Sequence, residues 1–122
     1  MDRVFALYRL THGPEGPEGL VDALRSAATI PAAEPGCRSS SVWRDAGTAG
    51  AVLLMEEWES PQAIERHMTG PGFRRLLAVL ELSSTPPEVR YVQSSGWRGM
   101  EWMAQVLGPG AGDSEGGTEC TT

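Results

Sequence analysis

Residues 39 to 58 read SSSVWRDAGTAGAVLLMEEW, and the other elements arrange themselves around this stretch. Ser39 to Arg44 alternates, Asp45 to Gly50 is a short loop with two glycines, and Ala51 to Trp58 is a strand-like apolar run. The segment therefore predicts a β-hairpin. Upstream, Val4 to Leu10 (VFALYRL) is rich in branched and aromatic residues and ends at a Gly/Pro loop, Gly13 to Gly16, as a buried strand does. Pro17 suits a first helical position, Leu20, Leu24, Ala27 and Ala28 recur at helical spacing, and Pro31 ends the pattern, which predicts a helix from about Pro17 to Ile30. Glu34-Pro35-Gly36-Cys37 is a turn signal before the hairpin. Downstream, Ser60 is a good N-cap with Pro61 behind it, predicting a helix to about Met68. Gly70-Pro71-Gly72 interrupts it, further helical turns run from Phe73 to Leu80, and Pro86-Pro87 introduce a last strand, Val89 to Ser94.

The order strand, helix, strand, strand, helix, strand is the split β-α-β-β-α-β arrangement of the α+β, ferredoxin-like fold: an antiparallel four-stranded sheet with helices on one face. The other face should then meet water and its strands should alternate. Yet Ala51 to Met55 and Val4 to Leu7 are apolar at every position. The expected cover is the same face of a second copy, giving a homodimer.

The 122 residues, 40% of them apolar, suit a single core. The expected organisation is a domain over residues 1–95, an amphipathic helix within 96–107 (Trp97, Met100, Met103 and Val106 or Leu107 at helical spacing, packed on the core or the partner), and a disordered tail over 108–122. All ten basic residues are arginine and the chain has no asparagine, so a Schiff-base lysine, a phosphate-loop lysine and a catalytic asparagine are excluded. A net charge of -6 without an arginine-rich run argues against nucleic acid. Cys37 and Cys120 suggest neither a disulfide framework nor a zinc set, the expected metal content is none, and with no apolar run of about 20 residues or signal-like start the chain is expected in the cytoplasm, away from membranes.

RVFALYRL, EPGCRSSSVWRD, LLMEEWESPQAIERHMTGPGF and PPEVRYV, in this order over Arg3 to Ser94, resemble the antibiotic biosynthesis monooxygenase family of the dimeric α+β barrel superfamily. The resemblance implies a dimer with a pocket between the sheet and the helices of each subunit. It also implies possible oxygenation of a polyphenolic or quinone-like substrate without metal, flavin or other cofactor. Haem-degrading members carry a strand asparagine, a helix tryptophan and a helix histidine where this chain has Tyr8, His67 and Leu77, so haem degradation is disfavoured. Anthrone-oxidising members resemble the chain at Trp58 and, in the following helix, Arg75, but Leu54 and Ile64 replace their asparagine and tyrosine.

Among candidate catalytic residues His67 stands first, because Ile64, His67 and Met68 form one helical stripe that aims the imidazole inward, where it could act as a general base. Its structural alternative is a hydrogen bond near the helix break at Gly70. Tyr8, whose face the resemblance turns toward the helices, either orients a substrate oxygen or is a core tyrosine. Trp58 and Glu56 share a strand face with Leu54, offering a ring to stack on a planar ligand and a carboxylate to tune by burial. Trp43 and Tyr91 could extend an aromatic wall. The candidate substrate contacts are thus Trp58, Trp43, Glu56, Leu54, Ile64, Arg75 and Leu77. Three functions compete: a cofactor-independent monooxygenase of secondary metabolism acting on an aromatic substrate, a polyketide-type cyclase or isomerase working by acid/base steps, and a ligand-binding or accessory dimer.

Overall fold

The computed structural model describes residues 2–47, 50–96 and 98–108. The elements are β1 (Arg3–Thr11), α1 (Glu18–Ala32), β2 (Cys37–Arg44), β3 (Ala51–Trp58), α2 (Pro61–Met68), α3 (Pro71–Leu80), β4 (Glu88–Ser94) and α4 (Met100–Leu107). The strands form one antiparallel sheet in the order β2-β3-β1-β4. This is the α+β ferredoxin-like architecture, with β1 and β3 central and the hairpin β2–β3 on one side.

Parity along β1 sets the layers: Val4, Ala6, Tyr8 and Leu10 are buried beneath the helices, while the residues between them are half-buried on the opposite face. Their partners Trp58, Glu56, Leu54 and Val52 on β3 share the inner face. Leu20, Leu24 and Ala28 of α1, Ala63 and Ile64 of α2 and Leu76 of α3 close the core over them.

The boundaries differ from expectation where turn chemistry is local. α1 continues through Pro31 to Ala32, because a proline in the final turn forfeits only one backbone bond. The amides of Ala33 and Glu34 then bond back to Ile30 and Pro31, and the Cys37 amide to Glu34. Gly36 takes φ +90 in this turn, and a Cβ there would lie 2.5 Å from the Cβ of Ala63, so only glycine lets the turn press against α2. Ser60 caps α2 by accepting from the Ala63 amide at 3.1 Å.

The outer face of the sheet has no cover among the described residues. Phe5, Leu7 and Leu53 are half-buried there, and Met55, Trp43 and Val92 are exposed. α4 forms as expected but does not pack on the core: all its residues are exposed, including Trp102 and Met103. Trp97 and the tail from 109 onward, with Cys120, lie outside the described residues. No helix among the described residues is long and apolar enough to cross a membrane.

Candidate active site

His67 lies on the inner stripe of α2 and is 1% exposed. Its ring stacks on Trp58 (centroids 4.7 Å apart, planes 23° apart) and meets the edge of Phe73 at 5.5 Å and 86°. Nδ1 sits 3.1 Å from both carboxylate oxygens of Glu34. A carboxylate that accepts at this distance requires the proton on Nδ1, so in the neutral imidazole the lone pair lies on Nε2. Nε2 is buried without a hydrogen-bond partner among the described residues. The imidazole is therefore held by a carboxylate on one side and presents a basic nitrogen on the other, and it does not serve the helix break at Gly70.

Glu34 is absent from the sequence candidates. It is delivered by the Glu34-Pro35-Gly36-Cys37 turn, 33 residues from its partner. Gly72 keeps the space beside it open, since a Cβ there would stand 3.2 Å from Glu34 Oε2 and 2.8 Å from Ile30.

Glu56, 2% exposed, lies on the inner face of β3, where its Oε1 accepts from Trp58 Nε1 at 3.0 Å and its Oε2 has no partner among the described residues. Burial raises its pKa above the ordinary carboxylate range, with the Trp58 hydrogen bond and His67 opposing. The Tyr8 hydroxyl, fully buried, lies 3.0 Å from that of the half-exposed Tyr91. Its pKa is also raised, first by burial, then by Tyr91 and Glu56. Tyr8 is thus suited to donate a proton in a hydrogen bond rather than to lose it.

The structure gathers His67, Tyr8, Trp58, Glu56, Leu54 and Ile64 into one interior and leaves three candidates outside it. Trp43 pairs with Leu53, not Leu54, so it stands on the outer face and is 56% exposed. Arg75 and Leu77 flank the buried Leu76, and a turn of about 100° per residue carries both to the exposed side of α3. Tyr91 does share the inner face. The interior itself is tightly filled, since Tyr8, Leu54, Trp58 and His67 are each at most 1% exposed. A groove of about 300 Å³ lies between α1 and β2, and its lining includes Ser40, the ladder partner of Glu56. Among the described residues no group of three or more His, Cys, Asp or Glu side chains could hold a metal ion.

Sheet, helices and the Glu34–His67 pair, its imidazole buried and its carboxylate half-buried, define a small α+β protein with titratable side chains under its helices. The chain belongs to the antibiotic biosynthesis monooxygenase family, whose model matches residues 3–79. No curated protein matches it in sequence. Among solved structures it is similar to Rv0793 from Mycobacterium tuberculosis, at 26% identity and TM-score 0.68, covering 80% of this chain and 99% of that one. PA3566 from Pseudomonas aeruginosa shares the fold at 21% identity and TM-score 0.65, covering 79% and 97%. So does SnoaB from Streptomyces nogalater, a cofactor-independent oxygenase solved as a point variant, at 20% identity and TM-score 0.65, covering 79% and 95%.

Proposed function

We propose that the chain is a homodimeric, cofactor-independent monooxygenase that uses His67 to deprotonate an electron-rich phenol or enol between sheet and helices. The observation that carries this reading is the buried Nε2, without a partner among the described residues, of an imidazole whose Nδ1 is held by Glu34. A base oriented in this way is the element proton abstraction needs. Trp58 and Phe73 pack directly on its ring and hold it in place. Membership of the family and the fold shared with SnoaB support oxygen as the second reactant.

With anthrone as the model substrate, His67 takes a ring proton and the resulting carbanion transfers an electron to dioxygen. The radical pair combines to a hydroperoxide, and loss of water leaves the quinone: one anthrone and one O2 give one anthraquinone and one water. Tyr8 donates toward the substrate oxygen and stabilises the enolate. Metal-free protein should consume oxygen with anthrone, and His67→Ala should slow that at least about tenfold, or 1.4 kcal/mol in barrier. Uptake unchanged in His67→Ala contradicts the reading.

The exposed outer face of Phe5, Leu7, Trp43, Met55 and Val92 supports the homodimer, and α4, apolar and unpacked, clasps the partner subunit in this reading. A cyclase or isomerase is favoured by one observation, the buried acid Glu56 beside the buried base His67, and turnover under strict anaerobiosis would select it.

A further inference from the structure

Three buried polar atoms lack a hydrogen-bond partner among the described residues: Ser40 Oγ, Glu56 Oε2 and His67 Nε2. They lie in one small region. Ser40 and Glu56 are direct partners in the β2–β3 ladder, so they share the inner face with their Cβ atoms about 5 Å apart. His67 stacks on Trp58, the next inner-face residue of β3. Native proteins leave few buried polar groups unpaired, because each has given up its water without replacement, so three together mark a place built for a polar group of a ligand.

Their chemistry specifies that group. Nε2 accepts a hydrogen bond, the Ser40 hydroxyl donates or accepts, and the Glu56 carboxyl donates when protonated, the form its burial favours. A hydroxyl that donates to Nε2 and accepts from both Glu56 and Ser40 satisfies all three. A carboxylate does not: it has no proton for Nε2, it faces Glu56 and Glu34, and no arginine is among the buried residues of the core. Ser40 is also part of the solvent-facing groove between α1 and β2, which Arg25, Ala28, Thr29, Ala32 and Val42 complete.

We propose that a neutral hydroxylated aromatic enters through the α1–β2 groove and seats its hydroxyl among Ser40, Glu56 and His67. This rests on the reading of His67 as the base, and names its substrate's charge state, anchoring group and route.

The test is calorimetry on the full chain without oxygen, using 1-naphthol, 1-methoxynaphthalene and 1-naphthoate. 1-Naphthol should bind at least about fivefold more tightly than its methyl ether, with 1-naphthoate weakest. Ser40→Ala and Glu56→Gln should each weaken 1-naphthol several-fold. If Glu56→Gln does not fold, Ser40→Ala, at a half-buried position, carries the test alone. Thr29→Trp at the groove should slow association and dissociation together in stopped-flow mixing, while Gln62→Trp on the exposed side of α2 changes neither. Equal affinity for naphthol and ether, preference for naphthoate, no binding by any of the three, or unaltered rates in Thr29→Trp each overturn the proposal. Because oxygen is absent, a failure of the oxygenase reading leaves these outcomes untouched: naphthol can bind as described by a protein that never consumes O2.

Discussion

Glu34 Oε1 and Oε2 both lie 3.1 Å from Nδ1 of His67, which joins the turn after α1 to the inner stripe of α2. The pair fixes which imidazole nitrogen faces the interior. Glu34→Gln keeps the shape but removes the charge, and an amide donates as readily as it accepts. The expected result is a loss of the pure Nδ1-protonated tautomer, seen in imidazole 15N shifts, with anthrone oxidation at least about tenfold slower. A slower variant with unchanged tautomer would assign Glu34 a purely structural part.

Gly36 is the conformational hinge of that turn. Gly36→Ala places a side chain on a backbone at φ +90 and drives its Cβ to 2.5 Å from Ala63. Strain and overpacking together should cost about 2–4 kcal/mol, measured as a shift in the urea midpoint. A loss below about 0.5 kcal/mol would show that the turn moves away from α2 at little cost.

Glu56 gives stability a pH dependence of known sign. Its folded-state pKa is raised above the ordinary 4.5, so the folded chain holds a proton that the unfolded chain releases. Its contribution is fully present below pH 4.5 and is lost as pH rises from there through the raised folded pKa, by up to about 1.4 kcal/mol per pH unit. Glu56→Gln cannot titrate and should flatten that fall in a series of thermal melts. Parallel profiles for parent and variant would show that Glu56 is ionised in the fold.

Leu7 and Met55 are cross-strand partners at the centre of the uncovered sheet face. Parent protein should sediment as a dimer at micromolar concentration, and Met55→Glu should yield folded monomer, since the exposed charge is tolerated in a single copy but not against an apolar partner face. A parent that sediments as monomer removes the dimer from the account.

The fold was legible because its signals are local. The hairpin, the Ser60-Pro61 start of α2 and the helical spacing in α1 each depend on neighbours within a few residues. The inward aim of His67 was likewise written in the stripe Ile64, His67, Met68. The sequence does not tell which face Trp43 takes, because that depends on pairing register, and its pairing with Leu53 sets it on the outer side. Arg75 and Leu77 were drawn in by resemblance, whereas the helix exposes both and buries Leu76 between them. Glu34 is legible in the sequence only as part of a turn, since its partnership with His67 arises when that turn is pressed onto α2, and no local pattern records such a contact.

The central claim is that His67 removes a proton from the substrate inside the fold. Its most direct test is exchange of the anthrone methylene protons into deuterium oxide under argon, followed by NMR with parent protein and with His67→Ala. The account predicts protein-dependent exchange that disappears in His67→Ala while the variant stays folded, and equal exchange by both proteins would contradict it.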